Sequence, residues 1–91
     1  MKIEFRDSFI IKLNRQINYI ATDKPQAARK FRKDLLLRIQ GLTEHPFQYR
    51  KSIYSESDQV RDLVFKGYTV VYKVDEQKNL ISIFALVKNE I

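Results

Sequence analysis

Apolar residues recur at helical spacing near the start of the chain, between residues 8 and 21. They are four, four and three positions apart, at Phe9, Leu13, Ile17 and Ile20. This spacing places them on one face of a helix. Residues 3–5 alternate apolar with polar, which predicts a short strand before the helix. Asp7 and Ser8 carry oxygens that can cap a helix, so we expect the strand to give way to the helix near Ser8.

A second helix is predicted from about Pro25 to Leu42. Its apolar positions are three or four residues apart and form one buried stripe: Ala28, Phe31, Leu35, Ile39 and Leu42. Asp23 is placed to accept hydrogen bonds from the first turn of this helix, with Gln26 three residues later as in a capping box. Proline is tolerated in a first helical turn, so Pro25 fits the predicted start.

The second half of the chain has the character of strands. After Pro46, residues 47–58 have no clear period, although Ser52-Ile53-Tyr54 is typical of a short strand. Three segments rich in β-branched and aromatic residues follow, joined by short polar turns: 60–65, 68–74 and 80–87. Parallel neighbours need a crossover of about a dozen residues, so these strands form an antiparallel meander. We therefore predict one α+β domain over residues 1–91, with an N-terminal strand and a helical hairpin packed on a C-terminal β-meander.

Composition narrows the possible chemistry. The chain has no cysteine and one histidine, His45. A disulfide framework, a thiolate metal site, a cysteine nucleophile and a multi-histidine site are therefore not expected. The two glycines are isolated, so no phosphate-binding loop is present. We expect neither a metal nor a cofactor.

The hydropathy pattern also bears on where the protein acts. The chain is 44% hydrophobic, which is enough to build a core. No apolar run approaches the length of a membrane span, and the first residues contain no signal-peptide core. We expect a cytoplasmic protein that makes no membrane contact.

Positive charge is concentrated in the first half of the chain. The whole sequence carries a formal charge of +6, and residues 1–46 hold ten basic against five acidic side chains. The densest part is the second predicted helix, with Arg29, Lys30, Arg32, Lys33 and Arg38. Such a surface attracts polyanions, either nucleic acid or an acidic protein segment. A solvated outer helix face has the same pattern.

Three strand residues are further candidates for a site. Alternation along residues 60–65 puts Arg61 on the same face as Leu63 and Phe65. An arginine there must reach the rim of the sheet, pair with a carboxylate, or bind an anion. Tyr68 and Tyr72 share one face of the next strand, where each can pack in the core with its hydroxyl at a rim.

The order of elements and several motifs resemble the RelE/ParE superfamily of bacterial toxins. The matching pieces are Asn18-Tyr19-Ile20 at the end of the first helix, Pro25-x-Ala27-Ala28-x-x-Phe31 at the start of the second, the exit Leu42-x-x-x-Pro46, and the run from Val60 to Val74. Together they cover nearly the whole chain. The resemblance implies a type II toxin–antitoxin toxin, encoded by a plasmid-stabilisation or stress module and neutralised by a cognate antitoxin. It also implies that operator DNA is bound only through that antitoxin.

Two activities occur in that superfamily. RelE-like members are ribosome-dependent mRNA endoribonucleases that need no metal, whereas ParE-like members inhibit DNA gyrase and are not nucleases. In RelE-like enzymes a basic residue often follows the tyrosine that opens the long strand, but here Tyr68 is followed by Thr69. The last strand is also not followed by a tyrosine or histidine. Arg61, Lys66 and Lys88 could stabilise a transition state, but no base is placed near them.

The resemblance therefore favours the ParE-like branch, with gyrase as target, and keeps the ribosome and mRNA as the alternative. The residues expected to bind the antitoxin or the target are Arg29, Arg32, Lys33, Arg38, Arg61, Tyr68 and Tyr72. A third hypothesis is a basic module whose second helix binds nucleic acid directly, with an affinity that falls steeply with salt.

Overall fold

The computed structural model describes residues 1–90, which form a five-stranded sheet with two helices against it. A short 3-10 turn, Gly41–Thr43, follows the second helix. The elements are β1 (Lys2–Phe5), α1 (Asp7–Asp23), α2 (Pro25–Gln40), β2 (Arg50–Lys51), β3 (Val60–Phe65), β4 (Tyr68–Asp75) and β5 (Leu80–Lys88). The predicted α+β architecture is confirmed.

The strands lie in the order β1-β5-β4-β3-β2. The last three long strands form the predicted meander, with β3 antiparallel to β4 and β4 antiparallel to β5. The N-terminal strand joins the sheet beside β5 and runs parallel to it, with Ile3 opposite Ile81. The sheet is therefore mixed, with β1 at one edge and β2 at the other.

The core lies between the helices and one face of the sheet. From the helices, Phe9 and Leu13 of α1 and the predicted stripe of α2 with Leu42 are buried. Ile17 and Ile20 are half-buried against the same cluster. The Phe31 ring joins the layers, with its centroid 5.9 Å from that of Phe65 and 5.1 Å from that of Tyr68. The apolar stripes predicted for both helices are thus the faces that pack on the sheet.

The predicted helix caps are wrong. α1 begins at Asp7, with Arg6 at the cap position and no capping side chain. The Ser8 hydroxyl instead donates to the carbonyl of Phe84, 2.6 Å away, and so ties α1 to β5. Asp23 is the last residue of α1, because Lys24 alone separates the two helices. Asp23 therefore does not cap α2, and Pro25, which has no N–H, reduces the number of donors that need a cap.

The prediction of a strand at Ser52-Ile53-Tyr54 is displaced from the observed strand. β2 consists of Arg50 and Lys51, which pair with Asp62 and Arg61 of β3. The Ser52 N–H still donates to the Val60 carbonyl at 2.9 Å, and beyond Ser52 side-chain acceptors replace the strand ladder. The Ile53 N–H donates to the carboxylate of Asp62, and the Tyr54 N–H donates to Ser52 Oγ. Local serine and aspartate acceptors of this kind compete with β pairing.

A two-residue turn connects β3 to β4 and places Lys66 at one end of the sheet. Phe65 and Tyr68 are opposite each other, and the turn residues Lys66 and Gly67 have φ angles of 48° and 82°. Two positive φ angles are characteristic of the hairpin turn whose twist matches that of the strands. Asn89, just after β5, closes over this turn by donating its N–H to the Gly67 carbonyl.

Candidate functional site

The outer side of α2 carries a group of basic residues that we call the basic helix surface: Arg29, Arg32 and Lys33. All three side chains are exposed, and none takes part in an ion pair among residues 1–90. Next to Arg32, a groove of about 300 Å³ between the two helices is lined mainly by apolar side chains, including Ile10, Leu13 and Leu36. Uncompensated positive charge therefore borders an apolar groove.

Arg38 lies apart from the basic helix surface, in a larger cleft. This cleft, the α2–β3 cleft, has a volume of about 570 Å³ and is lined by Asp34, Leu37, Arg38, Gly41, Gln48, Tyr49, Phe65 and Lys66. Arg38 and Lys66 both lie against Phe65, with the guanidinium carbon 5.2 Å and Nζ 5.3 Å from the ring centroid. Two cations and an aromatic ring thus line one concave surface.

Asp34 is the carboxylate in the α2–β3 cleft. Its Oδ2 accepts a hydrogen bond from Lys30 Nζ at 2.8 Å and lies 3.7 Å from Lys66 Nζ. The hydrogen bond from Lys30, together with the charges of Lys30, Lys66 and Lys33, holds the pKa of Asp34 below its usual range. Because Asp34 is shared between two lysines, the cleft keeps a surplus of positive charge.

Arg61 is held by the protein's own backbone. Its Nε donates to the Asp58 carbonyl at 2.9 Å, and its Nη1 donates to the carbonyls of Phe47 and Tyr49 at 3.3 Å and 3.1 Å. Its guanidinium carbon also lies 4.9 Å from the centroid of the Phe47 ring. The side chain therefore fastens residues 47–58 to β3, a role that was not among the possibilities considered from the sequence.

The structure does not bring the three candidate cations together. Arg61 is five positions from Lys66 along an extended strand, which at about 3.3 Å per residue separates their Cα atoms by roughly 16 Å. Lys88 pairs with Tyr68 across the β4–β5 ladder, and its Nζ lies 5.6 Å from the Tyr19 ring centroid. Lys66 and Lys88 thus belong to one end of the sheet, whereas Arg61 lies towards the other.

Both tyrosines of β4 are buried and hydrogen-bonded. The Tyr68 hydroxyl donates to Gln16 Oε1 at 2.9 Å, and the Tyr72 hydroxyl donates to the Pro46 carbonyl at 2.7 Å. Burial raises the pKa of Tyr72 well above its usual range. Each ring packs in the core, which was one interpretation of the sequence; partner binding was the other. Neither ring presents an exposed face in this conformation.

Sequence reasoning missed Leu37, Gln48 and Tyr49 as lining residues of the α2–β3 cleft. One signal was available. Three successive leucines, 35 to 37, cannot all face one side of a helix with about 3.6 residues per turn. The structure buries Leu35 and leaves Leu37 61% exposed. No local sequence pattern indicates Gln48 and Tyr49, because their segment is positioned by the hydrogen bonds from Arg61 to the carbonyls of Phe47 and Tyr49.

Metal-binding clusters and membrane-spanning helices were both sought among the described residues. Over residues 1–90, no three histidine, aspartate or glutamate side chains come together in a way that could hold a metal ion. In the same part of the chain, neither helix has the length and hydrophobicity needed to cross a bilayer.

Sequence comparison now identifies the family. The family described as the ParE toxin of the type II toxin–antitoxin system parDE matches residues 3–90. The chain belongs to the ParE toxin family. No curated protein matches this ParE-family sequence significantly.

Solved structures share the fold of this ParE-family toxin. A chain of the chromosomal ParDE toxin–antitoxin system from P. aeruginosa superposes with a TM-score of 0.80 at 18% identity, over 99% of this chain and 97% of that one. The isolated E. coli RelE toxin gives a TM-score of 0.63 at 15% identity, over 99% and 85% of the two chains. An E. coli RelE mutant in complex with an antitoxin RelBc peptide gives 0.55, also at 15%, over 99% and 84%. These likenesses confirm the RelE/ParE fold.

The sheet face that turns away from the helices of this ParE-family toxin is poor in cations near Thr69. The Thr69 hydroxyl is buried and donates to Asn89 Oδ1 at 2.9 Å. On the neighbouring strands Val64 and Val87 are opposite Thr69. The position where RelE-like enzymes often have a basic residue is therefore neutral, closed by a hydrogen bond, and flanked by valines.

Proposed function

We propose that the chain is a toxin that arrests growth by binding DNA gyrase, and that a cognate antitoxin neutralises it in a plasmid-stabilisation or stress module of the cytoplasm. The ParE family assignment supports the gyrase target, because the ParE-like branch of the superfamily has that activity. The observation that carries the choice against mRNA cleavage is the engagement of Arg61. Its guanidinium is used by three backbone carbonyls, which leaves it poorly placed to stabilise a reacting phosphate.

Metal-free RNA cleavage needs converging groups. One must remove the proton of the ribose 2′-hydroxyl, and cations must lie close to the developing charge. Arg61 and Lys66 lie too far apart for that, and Thr69 contributes no charge. Binding to a protein target needs no such constellation, so this arrangement favours protein–protein inhibition.

The basic helix surface is the part of the molecule best suited to an antitoxin. Arg29, Arg32 and Lys33 are exposed and make no ion pair within residues 1–90, and Arg32 lines an apolar groove that also contains Ile10 and Leu36. An amphipathic acidic segment can bury apolar side chains in such a groove while its carboxylates meet the arginines. In this proposal operator DNA is contacted through the antitoxin and not by the toxin alone.

The target is tested with purified components. The protein is added to E. coli DNA gyrase in a supercoiling assay, and in parallel to ribosomes translating a defined mRNA whose ends are mapped by primer extension. We expect supercoiling to be inhibited and no new mRNA ends to appear. Gyrase that stays fully active under a large excess of the protein contradicts the target, and new ends on translated mRNA would establish the RelE-like activity instead.

A further inference from the structure

Tyr19 is the most exposed aromatic side chain within residues 1–90, with 71% of its surface accessible. It lies near the end of α1, close to the tip of the helical hairpin. Its motif, Asn18-Tyr19-Ile20, is one that the sequence shares with the RelE/ParE superfamily, and the core does not use the ring. Tyrosine is enriched at protein interfaces, because an apolar ring with a polar hydroxyl suits a partly hydrated contact.

Contacts with the sheet fix the position of Tyr19. Gln16, three residues earlier on α1, accepts a hydrogen bond from the Tyr68 hydroxyl at 2.9 Å. Lys88, at the end of β5, places its Nζ 5.6 Å from the centroid of the Tyr19 ring. A cation over an aromatic face is attracted to it. The ring is therefore held in a defined orientation although it is exposed.

The tip of the hairpin is short and tightly hydrogen-bonded. A single residue, Lys24, links α1 to α2. Its N–H donates to the Ile20 carbonyl at 2.8 Å, and its carbonyl accepts from the Ala28 N–H at 3.0 Å. The Thr22 hydroxyl donates to the Asn18 carbonyl at 2.9 Å. A partner that binds at this tip has few additional groups of the toxin to order, which lowers the cost of association.

Basic side chains surround Tyr19 and form with it what we call the hairpin-tip surface: Arg15, Tyr19, Lys24 and Lys88. Arg15 precedes Tyr19 by four residues and so lies on the same side of α1. Lys24 and Tyr19 line a hollow of about 330 Å³, in which Asp23 is the one carboxylate. The three basic side chains are exposed and make no ion pair within residues 1–90. Charge complementarity therefore selects an acidic partner.

We propose that the hairpin-tip surface contacts gyrase, with Tyr19 entering an apolar pocket of the target and the three basic side chains facing carboxylates around that pocket. This inference rests on the proposed gyrase target and locates its contact on the toxin. An exposed aromatic anchor among charged side chains is typical of an interface hot spot. A protein partner is favoured over nucleic acid, because Lys88 already covers one face of the ring, for which a stacked base would have to compete.

The hairpin-tip surface is separate from the basic helix surface but close to it. Arg29 lies four residues into α2 from Pro25, which is about 6 Å along the helix axis. An antitoxin segment bound at Arg29 therefore stands beside the tip. In this arrangement it obstructs a target as large as gyrase without occupying the Tyr19 contact itself.

The test uses the intact protein and E. coli DNA gyrase. Each variant is titrated in the supercoiling assay, and its binding to immobilised gyrase is followed by surface plasmon resonance. Tyr19→Ala should raise the inhibitory concentration at least about tenfold, because an aromatic anchor carries a large share of the binding energy. Tyr19→Phe keeps the ring and should stay within about threefold of wild type. Lys88→Glu should slow association about tenfold at low salt.

Matched controls separate this contact from general effects of losing a tyrosine or a positive charge. Tyr54→Ala removes a tyrosine that is 52% exposed, and Lys78→Glu reverses a charge in the β4–β5 turn. Both should change inhibition by less than about twofold. Thermal unfolding followed by circular dichroism should be the same for Tyr19→Ala and wild type, since the ring is exposed. If that variant still fails to fold, Lys88→Glu carries the test.

The possible outcomes distinguish this inference from the proposed function. Tyr19→Ala and Lys88→Glu proteins that inhibit gyrase as strongly as wild type would overturn the hairpin-tip contact and leave the gyrase target standing. A wild-type protein that neither binds nor inhibits gyrase would overturn the target, and this contact with it. Binding of wild type to a DNA duplex without gyrase, lost in both variants, would make the tip a nucleic-acid site instead.

Discussion

The guanidinium of Arg61 lies over the ring of Phe47 while its Nη1 donates to the carbonyls of Phe47 and Tyr49, in the segment that leads into β2. A strand residue thereby fixes a stretch of chain that has no regular structure of its own. Both Nε and Nη1 of Arg61 thus donate within the protein, so this side chain contributes to the stability of the fold.

Arg61→Ala should destabilise the fold by about 2–4 kcal/mol, because three backbone carbonyls lose a charged donor and the Phe47 ring loses its stacking partner. Arg61→Lys should recover less than half of that loss, since an ammonium cannot reproduce the planar fork. Lys73→Ala, at an exposed position of β4, is the control and should change stability by less than about 0.5 kcal/mol. Urea unfolding followed by circular dichroism measures all three. An Arg61→Ala variant as stable as wild type would contradict the structural role.

Tyr72 should make the protein less stable at alkaline pH. Its pKa in the folded state is raised by burial, so above about pH 10 the unfolded chain gives up the phenol proton and the folded chain keeps it. The free energy of unfolding then falls as pH rises, at up to about 1.4 kcal/mol per pH unit from this group. Below about pH 10 the phenol is protonated in both states, and its full contribution to stability is present. Urea midpoints at pH 8 and pH 11 should show the loss.

Tyr72→Phe separates this effect from the titration of lysines. The variant should lose about 1 kcal/mol at pH 8, where the hydrogen bond to the Pro46 carbonyl is missing. Between pH 8 and 11 it should lose less stability than wild type. Equal losses in the two proteins would show that Tyr72 ionises alike in the folded and unfolded states.

The two glycines should respond in opposite directions to alanine. Gly67 has a φ of 82° in the β3–β4 turn, so Gly67→Ala should cost about 1 kcal/mol. Gly41 has a helical φ of −63°, and a methyl group there would meet no atom within 4 Å. Gly41→Ala should therefore stabilise the protein by about 0.4–1 kcal/mol, by restricting the unfolded chain. Thermal unfolding of the pair provides the comparison, and a stabilised Gly67→Ala would refute the turn geometry.

Charge reversal on the basic helix surface should weaken neutralisation but not toxicity. Cells expressing the toxin with its antitoxin should lose protection when Arg29 and Arg32 are both changed to glutamate, because the acidic segment is then repelled. Without antitoxin the double variant should arrest growth as wild type does. Lys78→Glu, in the exposed β4–β5 turn, is the matched control and should remain protected. Full protection of the double variant would place the antitoxin elsewhere.

The sequence was sufficient for the parts of the fold that depend on local patterns. The stripes of α1 and α2 and the three long strands follow from periodicity, and their order predicts the meander. Features that depend on distant partners could not be read in this way. Ser8 was expected to cap its own helix but bonds to Phe84, and β2 lies where Arg61 and Asp62 hold it.

The candidate site shows the same division. The exposure of Arg29, Arg32 and Lys33 follows from their positions off the buried stripe of α2, and so was predictable. The grouping of Arg38 with Lys66 around Phe65 was not, since it depends on how the end of α2 packs over the β3–β4 turn. The burial of Asp62 also could not be predicted, because its contacts come from outside its own strand. It is 1% exposed, its Oδ2 accepts from the Ile53 N–H and lies 3.7 Å from Arg50, and its Oδ1 has no partner within residues 1–90.

The parallel pairing of β1 with β5 has a consequence for synthesis of the protein. Lys2 of β1 pairs with Leu80 of β5, so all of residues 2–80 must be synthesised before these two strands can pair. The five-stranded sheet therefore closes only after β2, β3 and β4 have left the ribosome and β5 follows them.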